Sequence, residues 1–442
     1  MQAALAGQDN ALEIYNQAQQ AHEKGDLTKA IMLYKEVIKL LPENFEPKYQ
    51  CAAACLSLDS AESNREALAL MKQVVESKPD FARGHFALGV AALRVGEPAE
   101  TSLRKALELD PSISAARLPL AEIVIAKKSY KEAEQLLAPL FSQDLLDREG
   151  LLLLALAQHK QGKLKESIES YNRVLAKGRD AEALFQRGQI YLSQKNYSAA
   201  VADLRLAYEA SGEVETGLLL AEAHTQNGEK EKASELAKVL LEKSSDQQLR
   251  AKIADLLADV NREDATKAAE ELEKLLASDP KNISYLVRLG EIYNSSSPEK
   301  AVEYWQKAMS ISPKLDYRIG LASALLKSQR FDDAISEFGL VLAQDSESYE
   351  AHAGLALAYF KKEFFPPSAQ HFIWMVNKKP EIVINFYFLA ICFDRMDDYA
   401  QALKAYEIFL KVADPRIHQL EIEKVNLRMP SLKRQLERTK KR

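Results

Sequence analysis

The side chains that could carry out chemistry are few and scattered along the sequence. Cys51 and Cys55 lie four residues apart, which would place both thiols on one face of a helix. A zinc site needs four ligands, and no further ligand is nearby. Cys392 is isolated, and three cysteines are too few for a disulfide framework. We therefore interpret all three as buried thiols and predict no metal site.

The histidines and acidic residues also form no recognisable catalytic arrangement. No two histidines have a metal-binding spacing such as i, i+4, and we interpret each one as a surface or groove residue without chemistry. The sequence has no glycine-rich phosphate loop and no nucleophile elbow. Acidic residues on helices usually form solvated faces. The sequence thus predicts a protein that is not an enzyme, with no cofactor and no small-molecule substrate. The histidines are His22, His85, His159, His224, His352, His371 and His418.

Composition points to a helical protein without membrane spans. Of the 442 residues, 47% are apolar and 28% are charged, the net charge is -5, and glycine and proline are sparse. The longest apolar runs, residues 151–157 and 384–393, are much shorter than the roughly 20 residues that a spanning helix needs. Ala4, Leu5 and Ala6 are similar to the end of a signal-peptide cleavage region, but no apolar stretch precedes them. We expect residues 1–10 to be a disordered or trimmed end. The location is cytoplasmic by default, and periplasmic or secreted if an upstream signal peptide was removed.

One spacing pattern recurs from residue 11 to residue 415. Two small residues, usually about twelve positions apart, return in steps that cluster near 34 residues, and such internal periodicity is the signature of a repeat protein. The first small positions are Ala18, Ala52, Gly89, Ala121, Ala155, Gly188, Ala221, Asp255, Gly290, Ala322, Ala356 and Ala390. The second small positions are Ala30, Ala67, Ala99, Ala133, Ser167, Ala200, Ala233, Ala268, Ala301, Ala334, Ser368 and Ala402.

A bulky residue follows the second small position by four residues in nearly every repeat. Each repeat is long enough for two helices and a tight turn, and only small residues fit where two helices cross closely. The bulky residue would fill the gap to the next repeat, glycine would permit the turn, and proline would end the second helix. The bulky series is Tyr34, Met71, Leu103, Leu137, Tyr171, Leu204, Ala237, Leu272, Trp305, Phe338, Phe372 and Tyr406, in which Ala237 is the exception.

This spacing resembles the tetratricopeptide repeat, a helix-turn-helix of about 34 residues. The resemblance implies an all-α fold, an α-solenoid wound as a right-handed superhelix of twelve repeats. We assign repeats 1–7 to residues 11–247 and repeats 9–12 to residues 283–415. Asp255 interrupts the small-residue series, so the eighth repeat, residues 248–282, is predicted to be irregular. Residues 416–442 are predicted to be a capping helix, broken at Pro430, and a basic tail.

In this family the first helices line the concave side, and the position three residues before the first small residue points there. The resemblance therefore implies a ladder of apolar side chains that binds an extended or helical peptide, with glutamates that select a cationic partner. The alternative left open is that these side chains only pack between neighbouring first helices. The ladder positions are Tyr15, Tyr49, Phe86, Leu118, Leu152, Phe185 and Leu218, and the glutamates are Glu122, Glu182 and Glu222.

The motifs of specialised members of the family are not found in this sequence. The basic, asparagine-rich clamp that grips chaperone C-termini is missing, since the equivalent positions are Tyr15, Gln19 and Gln50. The asparagine ladder of the O-GlcNAc transferase repeats is missing too, and so is the Cys-rich metal knuckle of an envelope-assembly relative. The C-terminal third is rich in aromatic residues, which predicts either a tight local core or a second interface. They are Phe360, Phe364, Phe365, Phe372, Trp374, Phe386, Tyr387, Phe388 and Phe393.

The sequence thus predicts a non-catalytic scaffold that binds a protein or peptide in its concave groove. The alternative is a regulatory or targeting subunit of an enzyme or of a cell-envelope assembly complex, held through its aromatic C-terminal third. The sequence is also compatible with a homo-oligomer. The basic tail could attract nucleic acid, but it lacks interleaved aromatic residues, so we do not expect a nucleic-acid partner. The tail cations are Arg428, Lys433, Arg434, Arg438, Lys440, Lys441 and Arg442.

Overall fold

The computed structural model describes the backbone of residues 2–440 and the side chains of residues 10–438. Within that range the chain consists of 25 α-helices, one short 3-10 segment and turns, without strands, which confirms the all-α prediction. It divides into two compact parts, residues 1–211 and residues 212–442, which we call the N-terminal part and the C-terminal part. None of the described helices combines the length and the apolar character needed to cross a membrane. Lys441 and Arg442 of the basic tail lie outside the described residues.

The N-terminal part contains twelve α-helices. The first of them begins at Gln2, within residues 1–10, for which we expected a disordered or trimmed end; the trimmed end stays a prediction. The helices are α1 Gln2–Glu23, α2 Leu27–Leu40, α3 Phe45–Leu58, α4 Ala61–Ser77, α5 Ala82–Val95, α6 Glu100–Leu109, α7 Arg117–Ala126, α8 Tyr130–Ser142, α9 Arg148–Lys160, α10 Leu164–Ala176, α11 Ala181–Ser193 and α12 Tyr197–Ser211.

The C-terminal part contains thirteen described helices. They are α13 Val214–Gln226, α14 Lys230–Lys243, α15 Gln247–Ala258, α16 Arg262–Ser278, α17 Ile283–Ser296, α18 Pro298–Ile311, α19 Leu315–Lys327, α20 Phe331–Gln344, α21 Tyr349–Lys361, α22 Phe365–Lys378, α23 Ile384–Arg395, α24 Tyr399–Val412 and α25 Pro415–Lys440. In both parts an odd-numbered helix packs against the even-numbered helix that follows it. We call these the first and second helices of a repeat.

The turn between first and second helices has a left-handed residue at a fixed place. Gly25, Gly96, Gly162 and Gly228 have φ between 76° and 82°, as the sequence predicted. In six other repeats a residue with a side chain adopts the same left-handed conformation, with φ from 51° to 62°. L-residues have a steric cost there that glycine does not. These residues are Asp59, Lys128, Lys195, Gln329, Glu363 and Asp397.

The small positions lie where the two helices of a repeat cross. A Cβ added to Gly89 would lie 2.6 Å from Leu103, and one added to Gly290 would lie 2.7 Å from the Trp305 ring. The same ring would be 2.6 Å from a Cβ on Gly320 of the next repeat. The bulky residue therefore fills space both within its repeat and toward the following one, as the spacing predicted.

The eighth repeat is a pair of helices, α15 and α16, with a shifted register. Ala254 is fully buried at the helix crossing, where the spacing had indicated Asp255. The Asp255 side chain is 58% exposed and lies near the Arg288 guanidinium. An alanine one position earlier thus supplies the contact, and the acidic residue faces outward. The repeat boundaries themselves stay predictions.

The expectation that Pro430 breaks the last helix was wrong. Helix α25 continues through Pro430 to Lys440, with one non-helical residue, His418, near its start. Burial and ion pairing outweigh the missing proline N–H: Leu432, beyond the proline, is fully buried. Arg428 donates from Nε and Nη2 to the two carboxylate oxygens of Asp394, at 2.7 Å and 2.6 Å. Arg428 therefore anchors the cap rather than belonging to a free tail.

The aromatic residues of the C-terminal third mostly pack against one another. Phe372 is buried and stacks on Phe388 at 5.7 Å, and Phe360 meets Phe388 edge to face at 5.4 Å. Phe364, at 62%, is the one large exposed side chain of the set among the described residues. The contacts favour the local core over the second interface, because the rings are already occupied by each other.

Candidate functional site

The concave side of each part is formed by the first helices. In the N-terminal part α3 packs on α5 and α7 on α9, and in the C-terminal part α17 packs on α19 and α19 on α21. Within the described residues, successive second helices are nowhere packed this closely. The side with the closer spacing must be the inner side of the curve. We call it the first-helix face.

Six of the seven ladder residues lie in the N-terminal part and remain partly accessible on this face. Leu218, in the C-terminal part, is only 4% exposed and belongs to the core, so its prediction as an accessible groove residue was wrong. Leucine at this position of α13 packs under its neighbours and leaves no surface for a ligand. The six partly accessible residues are Tyr15, Tyr49, Phe86, Leu118, Leu152 and Phe185.

Five of the six side chains also pack against the buried core of the N-terminal part: Tyr15, Tyr49, Phe86, Leu118 and Leu152. The Tyr49 ring lies 5.0 Å from the Phe81 ring, which immediately precedes α5. The Cδ1 atom of Leu118 is 3.3 Å from where a Cβ on Gly150 of α9 would be. Packing between first helices is therefore part of their role. Their remaining exposure leaves one edge of each side chain available to a ligand.

The predicted glutamates have different surroundings. In the N-terminal part, partial burial and the nearby carboxylates of Glu149 and Asp147 raise the pKa of Glu122. Glu182 has a side chain that is 60% exposed, with Oε2 3.8 Å from Nη2 of Arg148. Burial also raises the pKa of Glu222, in the C-terminal part. A cation brought close to Glu122 would relieve the repulsion among three carboxylates.

A second acidic cluster, which sequence reasoning missed, lies on the first-helix face of the C-terminal part. Arg288 there lies among three carboxylates: its Nη2 is 2.6 Å from Asp259, its Nη1 is 3.1 Å from Glu291 and its Nε is 3.3 Å from Asp255. Burial raises the pKa of Asp255, and the Asp259 charge adds to the rise. The signal in the sequence was the four-residue spacing of Asp255 and Asp259.

An apolar hollow of about 740 Å³ adjoins Tyr15, the first ladder residue. We call it the N-terminal hollow. It lies between the middle of α1, the end of α2 and the start of α3. Sequence reasoning missed it, because it arises from side chains that are smaller than their counterparts in the next repeat. Its described lining residues are Ala11, Leu12, Tyr15, Val37, Leu40, Leu41, Pro42, Glu43, Asn44, Glu46 and Pro47.

The prediction that every histidine lies on the surface or in the groove was wrong for His224 and His352, which are 8% and 9% exposed. His352 stacks on Trp374 at 3.8 Å and meets His371 of α22 through their Nδ1 atoms, 2.9 Å apart. His352 Nε2 lies 3.2 Å from the Ser346 carbonyl oxygen and so donates to it. His352 Nδ1 must then accept the Nδ1–H of His371.

The histidine pair predicts a loss of stability in mild acid. Burial, helped by His352, lowers the pKa of His371 to about 4. An unfolded histidine has a pKa near 6.5, so the unfolded state binds more protons between these values. Stability should therefore fall as the pH drops below about 6.5, by about 2 kcal/mol at pH 5 relative to pH 7.5. Urea unfolding at the two pH values measures this.

His371→Gln is the matched variant, because it keeps a polar side chain and removes the titrating group. Its stability should be lower at pH 7.5 but should change less between pH 7.5 and pH 5 than that of the parent chain. An unchanged pH dependence would show that other groups cause the acid sensitivity.

Helix pairs that stack in sequence around shared small residues define an α-helical repeat protein. A family model described as tetratricopeptide repeat matches residues 53–100, 129–179, 152–214 and 319–363. These segments of the chain are tetratricopeptide repeats, as their spacing predicted; the count of twelve repeats stays a prediction. The fold generally serves as a scaffold for protein–protein interaction, and tetratricopeptide proteins are generally not catalytic.

Several known proteins are similar over part or all of the chain. The STIP1 homolog of Dictyostelium discoideum is 29% identical over 140 residues, which are 31% of this chain and 24% of that protein. The human tetratricopeptide repeat protein 21B is 21% identical over 330 residues, covering 64% of this chain. The match thus spans about a quarter of each relative, 24% in both cases. The crystal structure of yeast Tom70 covers 97% of both chains at 15% identity with a TM-score of 0.35.

Proposed function

We propose that the first-helix face of the N-terminal part binds an extended peptide segment of a partner protein. The protein would act as a non-catalytic scaffold, and recognition would depend on shape and side-chain chemistry. Each ladder residue that contacts the peptide removes apolar surface from water, which favours binding. The nearby carboxylates favour a partner with basic residues.

The observation that carries this proposal is the repeated partial exposure of one equivalent position. On each of six successive first helices, one apolar or aromatic side chain is partly exposed. Large apolar side chains at regular intervals on a concave surface are typical of peptide-binding grooves. Glu122, whose pKa is raised by burial and by the carboxylates of Glu149 and Asp147, adds a further acidic group to the same face.

The double variant Tyr49→Ala, Phe86→Ala tests the proposal. Peptides are first selected on the immobilised full chain from a phage-displayed library of random dodecapeptides, and their affinities are then measured by fluorescence anisotropy. Truncation of two central contacts should weaken binding by more than about tenfold. The selected peptides should be enriched in lysine and arginine.

The control variant is Met32→Ala, Leu145→Ala, which removes two apolar side chains that are 62% and 59% exposed and lie outside the first helices. Its affinities should match those of the parent chain. Equal binding by the parent and the Tyr49→Ala, Phe86→Ala variant, with both folded by circular dichroism, would refute groove binding. The alternative of a subunit held through its aromatic C-terminal third has less support, because those rings pack on one another.

A further inference from the structure

The N-terminal hollow has a filled counterpart one repeat further along the chain. The small residues align Ala18 with Ala52 and Ala30 with Ala67, so each lining residue has an equivalent in the second repeat. Tyr15 corresponds to Tyr49 and Val37 to Val74. These equivalents match in type, but Pro47 stands where the next repeat has Gly84, so the two places are framed alike only in part. The residues that differ decide whether the space is occupied.

In the second repeat, two phenylalanines occupy this space. The Phe81 ring lies 5.4 Å from the Phe45 ring and 5.0 Å from the Tyr49 ring, both edge to face. Its Cδ1 is 2.7 Å from where a Cβ on Gly84 would be, and Val74 Cγ1 is 3.3 Å from the same point. Phe81 thus fits between two first helices and the end of a second helix. This place in the second repeat therefore accommodates an aromatic ring.

In the first repeat both phenylalanines are replaced by smaller residues. Ala11 stands where the second repeat has Phe45, and Asn44 stands where it has Phe81. The Asn44 side chain does not fill the space, because its Oδ1 accepts a hydrogen bond from the Glu46 N–H at 3.1 Å and caps α3. The missing rings leave the hollow of about 740 Å³.

The charges around the two places are also different. Lys78, whose Nζ lies 5.0 Å from the Phe45 ring, borders the second-repeat space, and Leu41 is its equivalent in the first repeat. Arg83 likewise corresponds to Glu46. Among its described lining residues, the N-terminal hollow therefore has two carboxylates, Glu43 and Glu46, and no cation.

We propose that the N-terminal hollow binds a bulky apolar or aromatic side chain of a partner peptide, with a lysine or arginine beside it. The incoming ring would occupy the space that the missing phenylalanines leave, further from α3 than Phe81 is from α5, because Pro47 replaces Gly84. The flanking cation would pair with Glu43 or Glu46. The inference deepens the proposed function, because Tyr15 belongs both to the hollow and to the ladder. It makes the hollow the anchor at one end of the groove.

A partner peptide is favoured over a second copy of this chain by the local charge. The occupant needs a cation within reach of two carboxylates and an apolar side chain that is free to insert. The two carboxylates favour apolar segments that also carry a cation over those that do not. A hollow without charge would not make this distinction. A second copy would instead produce a concentration-dependent dimer, which the experiment detects.

The test uses two synthetic pentapeptides that carry one 4-fluorophenylalanine in the middle, flanked on both sides by two lysines or by two glutamates. Binding to the full chain is followed by ¹⁹F NMR. The lysine peptide should bind at least about tenfold more tightly than the glutamate peptide, because only the former pairs with Glu43 and Glu46. Absence of binding by the lysine peptide would overturn the proposal.

Asn44→Phe is the decisive variant, because it introduces a phenylalanine at the sequence position equivalent to Phe81 and fills part of the hollow from within. Helix α5 already begins after a phenylalanine without a side-chain cap, so the substitution has a precedent in this chain. Asn44→Ser is the matched control, since serine keeps the cap and leaves the hollow open. The lysine peptide should lose more than about tenfold in affinity with Asn44→Phe and about none with Asn44→Ser.

The outcomes separate this inference from the proposed function. If Asn44→Phe leaves the lysine peptide bound as before, the hollow proposal fails, whereas the ladder is judged by Tyr49→Ala, Phe86→Ala and the selected dodecapeptides. If the dodecapeptides bind the Tyr49→Ala, Phe86→Ala variant as tightly as the parent chain, the ladder proposal fails. If the lysine peptide nevertheless loses its affinity with Asn44→Phe, the hollow proposal is supported. A dimer in sedimentation velocity that Asn44→Phe dissociates would make a second copy the occupant and overturn the proposal.

Discussion

Asp203→Ala is expected to destabilise the N-terminal part by about 3 kcal/mol, because it leaves a largely covered guanidinium without its counter-ion. Asp203 is only 5% exposed. It accepts hydrogen bonds from Nε and Nη2 of Arg187, both at 2.7 Å, in a two-pronged pair between α11 and α12. The Arg187 side chain is 17% exposed, so it cannot regain full hydration where it lies.

The measurement is hydrogen exchange by mass spectrometry combined with urea unfolding. A repeat protein is stabilised by local terms, so loss of protection should begin in peptides from α11 and α12. Glu209→Ala in the same helix is the matched control. Its pairs with Arg179 and Arg205, at 3.2 Å and 3.3 Å, join side chains about half exposed, and such pairs contribute less than about 1 kcal/mol.

A double variant, Arg187→Met with Asp203→Leu, separates the two explanations for a large effect. If the cost comes from the unpaired charge, replacing both partners with apolar side chains should recover most of the stability. If the double variant is as unstable as Asp203→Ala, the pair contributes packing that methionine and leucine do not restore, and our account of the loss is wrong.

Gly354→Ala is expected to cost about 2 kcal/mol although alanine is the better helix former. A Cβ at this position would lie 2.2 Å from both Cε2 and Cζ of Phe338. Phe338 is 1% exposed, so its ring is enclosed by neighbouring side chains and cannot turn into solvent. The clash therefore outweighs the gain of about 1 kcal/mol that alanine gives over glycine in a helix.

Gly339→Ala, one residue after Phe338, should have the opposite sign. Nothing lies within 4 Å of a Cβ added there, so the helix gains stability of about 0.5 to 1 kcal/mol. Urea unfolding of both variants gives the comparison. Adding Phe338→Leu to Gly354→Ala should restore part of the loss, and a Gly354→Ala protein as stable as the parent would show that α21 shifts to accept the methyl group.

The sequence was sufficient for the fold because the repeat pattern depends on local size requirements. Glycine at position 290 and tryptophan at position 305 meet in the structure where their spacing predicted a close crossing. Pro430 was misread because the burial of Leu432, a tertiary effect, outweighs the local rule against proline in helices. Asp255 was misread because a one-residue shift in register moves the small position to Ala254 without changing the helices.

The site was less predictable, because its chemistry depends on which side chains of different helices meet. His352 and His371 are 19 residues apart in the sequence, and only the packing of α21 on α22 brings their Nδ1 atoms together. Leu218 matched the ladder in type and position, but its burial depends on neighbours that spacing does not describe. The N-terminal hollow was accessible to sequence reasoning in principle, by comparing Ala11 and Asn44 with their equivalents one repeat later.

The turns with positive φ give the chain room for thermal adaptation. Six of the turns between first and second helices hold a lysine, glutamine, glutamate or aspartate in a conformation that glycine adopts elsewhere in the same protein at lower cost. A lineage exposed to higher temperature could therefore gain stability through single substitutions to glycine at these turns. Such changes would leave the residues of the first-helix face unaltered, so heat tolerance and ligand choice could evolve separately.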